Sequence, residues 1–96
     1  MVSIAAEHDL KVARAWYQHS GFGLEMDFIH SAEDVLTRIL NNPTLYLIVY
    51  LQYQRALVRR FSYSAIYRIE QEKIIVSAVM HTSRAPSLWQ SRISTH

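Results

Sequence analysis

The stretch Arg55–Trp89, RALVRRFSYSAIYRIEQEKIIVSAVMHTSRAPSLW, decides the fold of this chain. Apolar and polar residues alternate in the arginine-rich segment Gln54–Phe61, as they do in a half-buried strand. Ser64–Ile69 and Ile74–His81 are rich in Ile, Val and Tyr, which predicts two further strands. The polar residues 70–73 have the length of a hairpin connection. The stretch therefore predicts a small antiparallel sheet.

Two segments ahead of this sheet have helical periodicity. Ala5–Ser20 and Leu24–Leu40 each carry an apolar stripe at spacings of three and four residues. The glycines of Gly21–Gly23 are expected to end the first helix, because glycine tolerates the left-handed geometry of a C-terminal cap. Pro43 is expected to stop the second helix. The connection between the two helices, residues 21–23, is so short that it predicts an antiparallel helical hairpin.

The predicted architecture is α+β, with the N-terminal helical hairpin packed on one face of a small antiparallel sheet. The predicted order is (short β)-α-α-β-β-β, in which Met1–Ile4 supplies the short first strand. Leu45–Leu51 is apolar with two tyrosines, and it fits either a short strand or an extended approach to the sheet. Ile74–Met80 is nearly all apolar, which is typical of a strand that is covered on both faces or central in its sheet.

Length and composition indicate a single domain, residues 1–96, since the chain has 96 residues of which 50% are hydrophobic. It has no cysteine, which excludes disulfides and thiolate metal sites and favours the cytoplasm. No apolar run reaches about 18 residues, so no membrane-spanning helix is expected. The N-terminal residues lack the basic region and long apolar core of a signal peptide.

The charges are unevenly distributed along the chain. Residues 1–48 hold three Lys and Arg against six Asp and Glu, a net charge of −3, whereas residues 49–96 hold seven against two, a net charge of +5. One interpretation is that these charges lie on solvated faces. The other is a basic surface that faces an acidic partner, either nucleic acid or an acidic protein segment. Arginine outnumbers lysine eight to two, which favours bidentate contacts with phosphate or carboxylate.

Several segments, in this order and at this spacing, resemble the ParE branch of the RelE/ParE toxin superfamily. The match covers nearly the whole chain and is carried by the first helix with its aromatic pair, by the second helix, by the arginine-rich strand pair and by the C-terminal pattern. These are, in order, Ala5–Leu10 with Ala15–Tyr17, Gly23–Phe28 with Ile39–Pro43, Arg55–Tyr63 with Ile66–Arg68, and Val79–His81 with Arg84, Pro86 and Trp89.

The resemblance implies the toxin of a type II toxin–antitoxin pair, the kind that serves plasmid stabilisation through growth arrest. ParE-like toxins are described as inhibitors of DNA gyrase, and RelE-like relatives as ribosome-dependent mRNA endonucleases. Both are neutralised by a small antitoxin, here expected to be ParD-like with an acidic C-terminal segment. No cofactor, metal or membrane is implied, and a homodimer or a hetero-oligomer with the antitoxin is compatible with it.

The chain departs from the family pattern at two places. Thr82, Ser83 and Ala85 stand where the family commonly has Gly, Arg and Asp. Met1–Ile4 is shorter than the first strand of relatives, which fits a truncated chain or an unusual start. The first departure bears on whether the activity is retained, so a non-toxic relative that still binds its antitoxin is a further hypothesis.

Catalysis is the second hypothesis for the site. An mRNA endonuclease needs groups that activate the ribose hydroxyl, stabilise the developing charge and protonate the leaving oxygen. Histidine can act as an acid or a base, so His81 suits such a role, but a lone histidine that closes a strand is more often a structural residue. The position after Tyr63, often Arg in the nucleases, is Ser64, and no tyrosine follows Tyr67. Binding to gyrase is therefore the first hypothesis.

Six residues are predicted to contact the target or the antitoxin. Arg55 and Arg59 are placed on one strand face together with Leu57 and Phe61, with pairing to Glu70 or Glu72 as the alternative. Arg60 is placed on the opposite face, beside the helical hairpin. The six residues are Arg55, Arg59, Arg60, His81, Arg84 and Trp89, of which Trp89 also fits a packing role.

The histidines give no metal-site spacing. His8 and His19 share a face of the first helix, but at the helical rise they lie about 16 Å apart, too far for one metal ion. His30 and His96 add no partner at a useful distance in the sequence. No metal site is predicted.

Overall fold

The computed structural model describes residues 1–94, and within them it confirms the predicted α+β architecture with the helices ahead of the strands. Four strands form one antiparallel sheet in the order β1-β2-β3-β4, and a third helix follows it. The elements are α1 (Ile4–Ser20), α2 (Leu24–Asn41), β1 (Ile48–Tyr50), β2 (Tyr53–Val58), β3 (Tyr63–Glu70), β4 (Lys73–His81) and α3 (Pro86–Ser94).

The connection between α1 and α2 uses its two glycines differently. Gly23 has φ +78°, a left-handed conformation that glycine adopts without strain. Gly21 is extended, with φ 171°, so the predicted left-handed geometry is wrong for this residue. A Cβ at Gly21 would lie 2.8 Å from Leu24 Cδ1. Gly21 therefore permits the close approach of the second helix, and Gly23 permits the turn.

The two helices pack on one face of the sheet, called here the helix face. Its core joins the apolar stripe of α2 to alternate residues of the strands. Tyr17 and Phe28 stack at 5.1 Å between ring centroids, and Phe61 meets both rings edge-on. The buried members on the helices and sheet include Ala6, Ala13, Phe28, Val35, Ile39, Ala56, Val58, Ala65, Tyr67, Val76 and Val79.

The end of β2 corrects one sequence prediction. The strand stops at Val58, so Arg59 does not continue the exposed strand face of Arg55 and Leu57. Arg60 has φ +70° and lies in the β2–β3 turn, not on a strand face. Phe61 is buried in the helix-face core, which overturns its predicted place on the same face as Arg55. Burial of this ring between Tyr17 and Phe28 outweighs the alternation that the sequence suggested.

A β-bulge divides β4. Ile66 pairs with Ala78, but the next residue, Tyr67, pairs with Val76, so Ser77 is the additional residue. The bulge lets Val76 and Val79, three residues apart, both reach the helix-face core. At the outer edge of β4, Val2 forms a parallel bridge to Val76, and the Ser3 N–H donates to the Val76 carbonyl at 2.9 Å. The predicted first strand is thus an isolated bridge.

The third helix was not predicted. Trp89 and Ile93 of α3 are buried against Tyr53, Ile66 and Ala78, on the sheet face opposite the helical hairpin. This second face is called the outer face. Arg55 and Leu57 share it with Tyr53, since residues two apart in a strand point to the same side. The outer face is therefore only partly covered.

Tyr67 fixes the segment that leads into the sheet. Its side chain is fully buried and its hydroxyl donates to the Pro43 carbonyl at 2.6 Å. Gln54 Nε2 donates to the same carbonyl at 2.7 Å and to the Tyr46 carbonyl at 2.8 Å. Burial, and secondarily the neighbouring Tyr46, raises the pKa of Tyr67 to about 12.

This pKa predicts an alkaline limit to stability. The folded pKa lies above the ordinary tyrosine pKa of 10.0, so the contribution of Tyr67 to stability is complete below about pH 10 and declines toward about pH 12. Urea unfolding from about pH 8 to about pH 11 should show a falling free energy of unfolding. The variant Tyr67→Phe should be less stable at pH 8 and less dependent on pH. An equal slope in the variant would contradict the assignment to Tyr67.

Candidate functional site

Two cavities meet where β4 ends and the chain turns toward α3. The large groove, with a volume of about 620 Å³, lies between α1, the end of β4 and α3. The small pocket, with a volume of about 250 Å³, lies on the outer face beside the first turn of α3. Met80, His81 and Arg84 line both cavities. These two cavities are the candidate site.

The large groove has an apolar wall and a polar end. Trp16 of α1 is 65% exposed, and Val12 and Leu88 beside it are also exposed. Ser83 and Arg84 provide polar groups at the turn after β4. An exposed tryptophan next to an arginine is typical of surfaces that bind protein partners, because these two residue types are enriched among those that dominate binding energies.

Asp9, Arg92 and Val79 join three elements at one side of this groove. Arg92 binds the two carboxylate oxygens of Asp9 at 2.7 and 3.1 Å. The Val79 N–H donates to Asp9 Oδ2 at 2.9 Å. Arg92 reaches Asp9 from α3, which packs on the outer face, whereas Asp9 belongs to α1 on the helix face. The ion pair therefore passes around the edge of β4 and holds both helices to it.

His81 is held by the turn that follows it. The Ser83 N–H donates to His81 Nδ1 at 3.0 Å, and Ser83 Oγ lies 2.7 Å from the same nitrogen. A backbone N–H only donates, so Nδ1 is an acceptor and the neutral ring carries its proton on Nε2. The ring meets Tyr63 edge-on, with 5.2 Å between centroids. Only Nε2 remains for contact with a ligand.

The groups around His81 do not form an acid–base pair. Burial raises the pKa of Tyr63, and the nearby Arg84 only partly opposes this, so the phenol stays protonated at neutral pH. Asp9 is the one carboxylate among the described residues that line the large groove, and Arg92 occupies it. Among the described groups around His81, none therefore acts as the base that activates a hydroxyl.

The small pocket combines three polar groups with apolar walls. Arg55 of β2 and Ser64 of β3 lie on the outer face, and Arg84 approaches from the turn after β4. Ser64 is 5% exposed, and its hydroxyl has no hydrogen-bond partner among the described residues. Its apolar walls are formed by Val49, Ile66, Met80, Pro86 and Trp89.

Most arginines are neutralised within the fold. Five of the eight lie within ion-pair distance of a carboxylate, and within residues 1–94 the other three, Arg55, Arg59 and Arg84, form no ion pair. Two of these three line the small pocket. The five pairs are Arg14–Glu25, Arg38–Asp34, Arg60–Asp27, Arg68–Glu70 and Arg92–Asp9.

The structure brings together four of the six predicted site residues and separates two. Arg55, His81, Arg84 and Trp89 line the small pocket. Arg59 and Arg60 lie in the β2–β3 turn and line neither cavity; Arg60 lies 3.7 Å from Asp27 of α2, beside the helical hairpin as expected.

The sequence left open that Arg55 pairs with a glutamate and that Trp89 has a packing role, and the structure answers these two questions differently. Arg55 does not pair with Glu70, whose carboxylate binds Arg68 at 2.9 Å. Trp89 is 8% exposed and meets Tyr50 edge-on at 5.7 Å, which is a packing role. The residue also lines the small pocket.

Three contributions were not predicted from the sequence. Ser64 appeared only as a replacement for a family arginine, although its position two residues before Ile66 places it on the outer face. The exposure of Trp16 was hidden by its place in a regular apolar stripe. Asp9 and Arg92 are separated by 83 residues, and no local pattern connects them.

Within residues 1–94, no three His, Asp or Glu side chains lie close enough together to hold a metal ion. His96 lies outside the described residues. None of the helices in the described part of the chain combines the length and the apolar character needed to cross a membrane.

Comparison of the sequence with protein families and curated proteins gives no match. No protein-family model matches the chain, and no curated protein matches its sequence significantly.

The Asp9–Arg92 pair gives a test of what holds α3. Asp9→Asn should lower the free energy of unfolding by about 1–3 kcal/mol, because both Arg92 and the Val79 N–H lose a charged acceptor in a mostly buried position. Urea denaturation measures the change.

Asp34→Asn is the matched control for this test. It removes the exposed Arg38–Asp34 pair and should cost at most about 0.5 kcal/mol. If the two substitutions cost the same, the Asp9–Arg92 pair does not stabilise the fold more than a surface ion pair does.

Proposed function

We propose that this protein is a ParE-like toxin of a type II toxin–antitoxin system, which acts in the cytoplasm by binding a protein target, DNA gyrase. A cognate ParD-like antitoxin with an acidic segment would neutralise it. The α+β fold, with a helical hairpin on one face of an antiparallel sheet, agrees with what the sequence resemblance implies. Fold alone does not define a function, so the proposal depends on the site.

The main support for the proposal is the position of Arg84. This residue lines both cavities and has no carboxylate partner within the described residues. Exposed apolar side chains, above all Trp16, lie along the same groove. An arginine with exposed aromatic and aliphatic neighbours suits a protein contact, since such interfaces are rich in Arg and Trp and poor in other charged residues.

The alternative of an mRNA endonuclease has weaker support from the geometry. His81 and Arg84 are adjacent to the same groove, but Nδ1 of His81 is occupied by Ser83 and Tyr63 stays protonated. Ser64 provides no positive charge to stabilise a developing phosphorane. Binding without catalysis therefore accounts better for the residues present.

Induced expression of the full chain tests the proposal. We expect growth arrest, relieved by Arg84→Ala, because truncation of an arginine that dominates an interface costs about 2 kcal/mol, roughly 30-fold in affinity. Arg59→Ala is the matched control, since Arg59 also has no ion pair but lines neither cavity. Growth and viable counts after induction are the measurements. No arrest by the unaltered chain would favour a non-toxic relative.

Purified gyrase then separates the two toxin mechanisms. Inhibition of DNA supercoiling by the purified chain, with a weaker effect of the Arg84→Ala variant, would support binding to gyrase. Codon-phased mRNA cleavage together with normal supercoiling would instead establish the endonuclease and exclude the gyrase proposal.

A further inference from the structure

We propose that Arg55, Arg84 and Ser64 form a carboxylate pocket, which receives an Asp or Glu side chain from an apolar-flanked segment of a protein partner. The nature of that partner depends on the proposed function, whereas the chemistry of the pocket depends only on the geometry. The occupant is defined as an acidic peptide segment. Its carboxylate would enter the small pocket from the open part of the outer face.

Ser64 provides the first observation. Its hydroxyl is inaccessible to solvent and has no hydrogen-bond partner among the described residues, although the side chain lines the pocket. Buried polar groups in folded proteins are nearly always hydrogen-bonded, so an exception requires an explanation. Once the Ser64 side chain rotates toward the pocket that it lines, a ligand oxygen there would accept its hydroxyl hydrogen and satisfy this buried group.

The two arginines provide an independent observation. Arg55 and Arg84 both line this pocket of about 250 Å³, and no Asp or Glu is among the described residues that line it. Neither guanidinium forms an ion pair within residues 1–94. An anion that enters the pocket would meet both positive charges, with no carboxylate of the pocket lining to compete for them. The planar guanidinium fork matches the geometry of a carboxylate.

The surroundings favour a protein segment over nucleic acid. A nucleic-acid strand needs a row of cations along its phosphates, and five of the eight arginines are already paired with carboxylates. Trp89 is the one aromatic side chain among the described residues that line the pocket, and its burial against Tyr50 prevents stacking on a base.

Apolar side chains flank the pocket where a peptide would continue. Leu57 pairs with Ser64 across the β2–β3 ladder and is 58% exposed. Val49 lines the pocket from β1 and is also exposed. A segment with apolar residues on both sides of its acidic residue would cover these side chains while its carboxylate meets the two arginines. Charge and apolar complementarity thus identify the same kind of occupant.

A pair of peptides isolates the carboxylate. The probes are acetyl-Ala-Leu-Glu-Leu-Ala-Ser-amide and the same peptide with Gln in place of Glu, titrated into the full isotope-labelled chain. We expect saturable NMR shifts of the Ser64 amide and of the Nε–H groups of Arg55 and Arg84 with the Glu peptide. The Gln peptide should bind about tenfold more weakly or not at all. Equal binding of the two peptides would overturn the proposal, as would no saturable shift at millimolar Glu peptide.

Three variants localise the effect. Arg55→Gln should weaken the Glu peptide by about tenfold and Ser64→Ala by about threefold. Arg59→Gln should leave it unchanged, because Arg59 is an arginine without an ion pair that lies outside the pocket. An equal loss with Arg59→Gln would mean diffuse attraction and would overturn the pocket. The amide spectrum of each variant verifies that it is folded.

A competition distinguishes the carboxylate from a phosphate. A short single-stranded RNA that displaces the Glu peptide and shifts the same resonances at lower concentration would show that the pocket binds nucleic acid and would overturn the protein partner. Inorganic phosphate that does the same would show that the pocket prefers a phosphate group to a carboxylate. The titration does not depend on toxicity. Peptide binding without growth arrest would refute the toxin and retain the pocket, whereas growth arrest without peptide binding would refute the pocket alone.

Discussion

The site depends on the contact of Asp9 with Arg92 and with the Val79 N–H. Residues 1–3 pair through their backbone with the outer edge of β4 only as far as Val76, and the Ser3 hydroxyl reaches the Ser77 carbonyl at 3.5 Å, so beyond the bulge the backbone groups need other partners. The Asp9 carboxylate accepts from Val79, and Arg92 donates to the Ser77 carbonyl at 3.3 Å. Because an exposed strand edge invites pairing with another chain, this ion pair also protects the sheet.

The same contact determines the shape of both cavities. The third helix has nine residues and only Trp89 and Ile93 in the outer-face core, so apolar burial alone holds it weakly. Arg92 fastens its last turn to α1, and its first turn then forms a wall of the small pocket. The positions of Arg84 and His81 follow from the connection between β4 and this helix. An ion pair at one side of β4 thus helps to position the candidate site residues at the other.

Local patterns predicted the parts of the fold whose burial is regular. The apolar stripes of α1 and α2 and the branched residues of β3 and β4 were sufficient, because each element buries one periodic face. The predicted end of β2 was wrong because Phe61 does not follow the alternation of the strand and instead packs against Tyr17 and Phe28. The third helix was missed because its two anchors lie in a short polar tail. Arg84, His81 and Trp89 came from the resemblance; Asp9–Arg92 is long-range and has no local signal.

The folded structure changes the meaning of the uneven charge. Asp9 and Asp27 of the acidic half lie within ion-pair distance of Arg92 and Arg60 of the basic half, so the fold neutralises much of what the sequence separates. What remains near the site is Arg55 with Arg84, a local pair of charges beside apolar side chains. Under the proposed function, a partner would be selected by a few directed contacts with these two arginines more than by long-range attraction to a broad basic face. This is the reason that the unsatisfied hydroxyl of Ser64, next to that pair, is more informative about the partner than the net charge.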